Sequence, residues 1–179
     1  MDNFKQKILI TGPPRCGKST LISRLIEHLR KNFKIYGFIT PEIRKQNKRE
    51  GFNVEDLNSK KRFPLAKVGD FKTNFKLGRY SVFIKDFENY INNFLEPIYE
   101  VPGSIFCIDE IGKMELFSKK FQEFIKKLFQ SNNLVIATVG EKIKHPIKDY
   151  ILNVSNLILI NLNLSNQDEI FNKIVSIVK

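Results

Sequence analysis

Gly12-Pro13-Pro14-Arg15-Cys16-Gly17-Lys18-Ser19 carries the spacing G-x-x-x-x-G-K-S, between the apolar run Lys7 to Thr11 and an amphipathic stretch that opens at Lys18. Two glycines let the backbone bend until successive N–H groups point inward at phosphate oxygens, and the start of the helix adds its partial positive charge. In that strand–loop–helix context the octapeptide reads as a phosphate-binding loop (Walker A). It makes Gly12, Pro13, Pro14, Arg15, Cys16, Gly17, Lys18, Ser19 and Thr20 the expected lining of a nucleotide's phosphates. Lys18 is expected to bridge the β- and γ-phosphates and Ser19 to offer its hydroxyl to Mg²⁺.

Outward from this loop, short apolar runs alternate with amphipathic stretches, the signature of an α/β chain. The helix after the loop is expected over Lys18 to about Lys31, with Leu21, Ile22, Leu25, Ile26 and Leu29 on its apolar side. Strands are expected at Ile35 to Thr40, Ser104 to Asp109, Leu134 to Thr138 and Leu157 to Asn161, with crossover helices that demand a parallel sheet. Between Glu42 and Val68 the periodicity changes, where Phe52 to Glu55 and Arg62 to Leu65 look like a hairpin around Asn58-Ser59. A short strand expected from Tyr80 to Ile84 completes a region from Glu42 to Ile84. That region reads as an antiparallel insertion in one 179-residue domain. Phe87, Tyr90, Ile91, Phe94, Leu95 and Ile98 predict one clean face of a helix from Asp86 to about Tyr99. Ser165 and Asp168 suggest the cap of the last helix.

The second chemical signal is Ser104-Ile105-Phe106-Cys107-Ile108-Asp109-Glu110, an apolar strand ending in an acidic pair. This is what a Walker B element requires, since a buried strand delivers its carboxylate beside the phosphate loop. Asp109 is expected to hold Mg²⁺ through a coordinated water, and Glu110 to orient the attacking water. Thr138 ends a strand expected between the other two, so its hydroxyl becomes a third candidate catalytic group beside Lys18 and Glu110. The guanine-reading pattern N-K-x-D is absent, which predicts low base selectivity.

Bulk composition narrows the classes. Apolar residues make up 42% and charged residues 27% of the chain, which excludes wholesale disorder. Two cysteines, Cys16 and Cys107, are too few for a disulfide framework, and their spacing fits no zinc site. No apolar run approaches membrane-spanning length, and the N-terminus lacks a signal-peptide core, so a cytoplasmic setting without membrane partners is expected. Thirty Lys and Arg against nineteen Asp and Glu give +11. That charge makes nucleic acid a candidate partner, and Lys119, Lys120, Lys126 and Lys127 form a stripe that could follow a phosphate backbone.

With these residues in hand, the chain resembles the small P-loop nucleoside-triphosphatases, the cancer-related or thermophile-type nucleoside-triphosphatase family. The resemblance rests on Asp109-Glu110-Ile111-Gly112-Lys113-Met114-Glu115-Leu116, on Gly37 to Arg44, on Gly51-Phe52, on Gly78 to Val82, and on Ala137-Thr138-Val139 with His145-Pro146. It implies a RecA-like sheet and Mg²⁺-dependent hydrolysis of ATP, GTP and other nucleoside triphosphates; a monomer is expected. It also implies that Gly112 and Lys113 border the nucleotide, with Arg44 or Arg79 as further candidates. Arg15 departs from the small residue usual at that position. Two alternatives remain open on the residues alone: a small-molecule or nucleotide kinase, and a nucleic-acid-stimulated ATPase.

Overall fold

The computed structural model describes residues 6–178; the opening residues Met1 to Lys5, part of the segment read against a signal peptide, lie outside the described residues. Five parallel strands form the centre: β1 (Lys7–Gly12), β2 (Lys34–Ile39), β8 (Ser104–Ile111), β9 (Leu134–Gly140) and β10 (Leu157–Asn161). They lie in the order β10-β1-β9-β8-β2. Their side chains alternate between two faces, as strand geometry requires. Ile8, Ile10, Ile105, Cys107, Leu134 and Ile136 pack against α1 (Lys18–Leu29) and α5 (Gln167–Val178). Leu9, Phe106, Ile108, Val135 and Ala137 share the opposite core with α2 (Ile84–Tyr90), α3 (Lys119–Gln130) and α4 (Pro146–Leu152). Helices thus cover both faces of a parallel core, the expected P-loop NTPase architecture with a RecA-like sheet.

The segment expected as an insertion continues this sheet. β4 (Lys48–Asp56) pairs antiparallel with β2, and β5 (Arg62–Val68), β7 (Tyr80–Val82) and β6 (Phe75–Leu77) follow outward. Val54, Leu65, Ala66 and Val82 are buried in the same core as Phe38 and Phe87, which fixes the extension to the parallel strands. Asp56 closes the expected hairpin: its Oδ2 accepts from the Ser59 N–H at 2.6 Å and from the Ser59 hydroxyl at 2.7 Å. A second hairpin was not legible. β3 (Glu42–Lys45) pairs with β4 through a two-residue turn whose Gln46 and Asn47 both have positive φ, the geometry that matches strand twist.

Three local expectations are corrected. The long helix from Asp86 is a short α2 followed by a π-helical turn over Ile91–Leu95. The wider turn shifts the register of the apolar face, so Phe94 is 41% exposed and stacks on Tyr90 at 5.7 Å. The strand expected to Ile84 stops at Val82, because Ile84 opens α2. At α5, Ser165 instead donates its N–H and hydroxyl to the Asn163 side chain, while the Asn166 carbonyl accepts from the Ile170 N–H. Asp168 pairs with Arg24 on α1 at 2.8 Å.

Candidate active site

The phosphate loop is clamped between α1 and the segment leading into α5. The Gln167 carboxamide donates to the Cys16 carbonyl at 3.0 Å and occupies the space where a side chain at Gly17 would project. Gly17 also has φ +94°, a left-handed conformation that side-chain-bearing residues rarely adopt. Lys18 curls over the loop, its Nζ donating to the Gly12 carbonyl at 3.0 Å and the Pro13 carbonyl at 3.2 Å. Cys16 is buried, and its N–H donates to the Pro13 carbonyl at 3.3 Å. Arg15 is exposed at the rim with φ +64°.

The acidic pair arrives at the same place by a local irregularity. β8 and β9 run in register to Ile108 opposite Ala137 and resume at Ile111 opposite Val139, so β8 carries one extra residue over Asp109-Glu110. Bulges of this kind re-aim side chains at strand ends. Asp109 is 4% exposed, and its Oδ1 accepts from the Thr138 hydroxyl at 2.5 Å. The Thr40 hydroxyl donates to the Asp109 carbonyl at 2.9 Å. Burial pushes the Asp109 carboxyl above its usual range, against the pull of Thr138, Ser19 and Lys18. Burial and the neighbouring Asp109 charge raise Glu110 as well.

One continuous cleft results. Pro14, Arg15, Gly17, Lys18, Ser19 and Thr20 line a cavity of about 630 Å³ together with Glu42, Arg49 and Glu110. Ser19, Glu42 and Glu110 also line an adjoining space of about 390 Å³ with Thr40, Asp109, Lys113, Glu115 and the apolar Phe52, Leu77, Met114 and Ile143. Of the residues singled out in the sequence, Lys18, Ser19, Asp109, Glu110 and Lys113 therefore meet. Thr138 stands behind Asp109, fully buried. Gly112 lies under two carboxyls: a Cβ there would come 2.5 Å from Glu115 Oε2 and 3.0 Å from Glu110 Oε1. An ammonium group and hard oxygen donors share this cleft, the groups that phosphoryl chemistry uses.

A family model described as NTPase matches residues 7–175. The chain belongs to the NTPase family. It is 38% identical over 173 residues to nucleoside-triphosphatase THEP1 of Thermotoga maritima, covering 97% of this chain and 95% of the relative. It is 36% identical over 181 residues to nucleoside-triphosphatase THEP1 of Aquifex aeolicus, covering 97% and 99%. The fold matches the crystal structure of THEP1 from Aquifex aeolicus with a TM-score of 0.84, at 32% identity over 97% of this chain and 99% of that one. It matches the solution structure of a human cancer-related nucleoside triphosphatase with a TM-score of 0.80, at 30% identity over 97% of each.

Within this NTPase frame, the cleft also holds Glu42, Arg49 and Glu115, to which the sequence reading gave no role. Glu42 and Arg49 form an ion pair at the cleft, and Glu42 also takes Arg44 at 2.6 Å. Their signal lay in the unread β3–β4 hairpin. Arg44 and Arg79 are not among the cleft residues; Arg79 instead donates to the Arg49 carbonyl at 2.9 Å and braces the start of β4. Glu115 is buried in the turn after β8, where burial first and then the Glu110 and Asp109 charges push its carboxyl up to about 8. His145 serves α4, its Nδ1 accepting from the Ile147 N–H at 3.1 Å. In the lysine stripe, Lys127 is tied to Glu96 at 3.0 Å and Lys126 lies 5.6 Å over the Tyr150 ring.

Proposed function

We propose that this protein, acting as one monomeric domain, hydrolyses nucleoside 5′-triphosphates, ATP and GTP among them, to the diphosphate and phosphate with little base selectivity. The observation that carries this reading is the single cleft shared by the phosphate loop and the Asp109-Glu110 pair in a chain of the NTPase family. The names of the relatives point the same way, to water as the acceptor in preference to the second substrate of a kinase.

In this reading the loop amides and Lys18 hold the triphosphate, Lys18 exchanging its two loop carbonyls for phosphate oxygens. Glu110 accepts a hydrogen bond from the attacking water and directs its oxygen at the γ-phosphorus. Thr138 keeps the Asp109 carboxylate in one orientation. Lys113, which lines the adjoining space, adds positive charge to the cleft. Ser19 and Asp109 are fitted to hold Mg²⁺: they are two hard oxygen donors lining one space, close enough for Ser19 to draw the Asp109 carboxyl downward, and Mg²⁺ commonly takes one or two carboxylates with phosphates and waters. The ion, when bound, neutralises charge on the β- and γ-phosphates. A cytoplasmic setting fits this substrate class, and no described helix is long and apolar enough to cross a membrane.

Phosphate release measured with ATP, GTP, CTP and UTP in Mg²⁺ tests the proposal. Turnover on the order of 10⁻⁴ to 10⁻² s⁻¹ for each, lost with a chelator and in Lys18→Ala, is the expected result. No release from any of the four contradicts it.

A further inference from the structure

The cleft contains an arginine whose ion-pair partner, Glu42, is shared with a second arginine, Arg44. Arg49, at the start of β4, lines the same cavity as Lys18, Ser19 and Glu110. Its guanidinium pairs with Glu42 Oε1 and lies 5.4 Å from the Phe52 ring centre. Its Nε is buried and has no hydrogen-bond partner. An orphaned donor in a charged group is costly, so the side chain is held short of its full complement of acceptors.

Glu42 is built to let it go. Glu42 Oε2 is already held by Arg44, through Nε at 2.7 Å and Nη2 at 2.6 Å. The carboxylate therefore keeps a cation when Arg49 leaves, and departure strands no charge. The backbone of Arg49 stays in place because its carbonyl is anchored by Arg79. A triphosphate over Lys18 presents several negative oxygens where Arg49 now sees one half-shared carboxylate.

We infer that Arg49 is a catalytic arginine supplied in cis, which exchanges Glu42 for the γ-phosphoryl oxygens as the transition state forms. This rests on the site reading above, in which the triphosphate lies across Lys18 and Ser19. The water oxygen bonds to the γ-phosphorus while the bond to the β–γ bridging oxygen breaks. The electron pair of that bond leaves on the diphosphate, and a water proton passes to Glu110 or to the departing phosphate. Arg49 donates to the γ-phosphoryl oxygens, where charge is concentrated, and its planar fork matches two of them at once. It also fills a gap in the sequence reading, where neither Arg44 nor Arg79 reaches the cleft.

The test compares the parent chain with Arg49→Ala and Arg49→Lys, using phosphate release and binding of Mg²⁺ with a non-hydrolysable ATP analogue. Arg49→Ala is expected to lower kcat by about 30- to 1,000-fold while analogue affinity changes less than about fivefold. It is also expected to lose the tight complex of ADP with aluminium fluoride, and to regain part of its turnover in added guanidinium at concentrations below those that unfold it. Arg49→Lys keeps the ion pair with Glu42, and so the hairpin, yet is expected to remain well below the parent. Arg49→Ala with kcat within threefold of the parent, or full activity in Arg49→Lys, overturns the assignment even where Lys18→Ala is inactive. A parent chain that neither binds the analogue nor releases phosphate overturns this inference and the site together.

Discussion

The Thr138 hydroxyl donates to Asp109 Oδ1 at 2.5 Å, with the threonine fully buried and the aspartate 4% exposed. The contact exists because β9 lies between β1 and β8, so its last polar residue faces the carboxylate that β8 delivers. A carboxylate taken so far from water needs its lone pairs occupied. Thr138 occupies one at Oδ1, and in the proposed site the remaining lone pairs face Ser19 and the metal ion.

Replacing Thr138 by valine keeps the shape and removes that donor. Loss of a hydrogen bond to a buried charged group costs about 1–3 kcal/mol, so Thr138→Val should melt several degrees lower. The Mg²⁺ concentration for half-maximal phosphate release should rise severalfold. Thermal unfolding and a metal titration check both, and an unchanged metal dependence would remove Thr138 from the site.

Gly112→Ala places a methyl group 2.5 Å from Glu115 Oε2 and 3.0 Å from Glu110 Oε1. Both carboxyls border the same cleft, so making room for the methyl displaces Glu110 together with Glu115. A stability loss of about 1–3 kcal/mol with at least tenfold slower turnover is expected. Unfolding midpoints and single-turnover rates measure the two effects separately.

Lys7 is fully buried at the start of β1, its Nζ donating to the carbonyls of Ser131 at 2.9 Å and of Asn133. Burial lowers its pKa from 10.5 to about 8. Below about pH 8 the ammonium is present in both states, and its burial weakens the fold. Between about 8 and 10.5 the native chain releases the proton that the unfolded chain retains, so stability rises with pH. The parent should gain about 2 kcal/mol relative to Lys7→Met from pH 8 to 10. A stability difference that stays flat across that range contradicts the account of Lys7.

Much of this molecule could be read from the chain because its signals are local. The glycine loop, the apolar strand ending at Asp109 and the apolar face of α1 are each contiguous or periodic within one element. What escaped depends on partners distant in sequence. β3 is four residues, three of them charged, and shows its strand character only against β4. Arg49 becomes a cleft residue only once that hairpin folds Glu42 beside it. Phe94 lies on the expected apolar face, but a π turn, which periodicity at 3.6 residues cannot anticipate, turns it outward. Lys7 reads as a strand-edge cation until Ser131 and Asn133, more than 120 positions away, supply its acceptors.

In the proposed reaction Glu110 directs water onto a triphosphate held by Lys18 and the loop. Glu110→Gln preserves the size of the side chain and removes its negative charge, so the decisive measurement is Mg²⁺-nucleotide affinity and single-turnover phosphate release in that variant. Affinity within about threefold of the parent with hydrolysis slowed at least about 100-fold is the predicted result. Hydrolysis at the parental rate in Glu110→Gln contradicts the account.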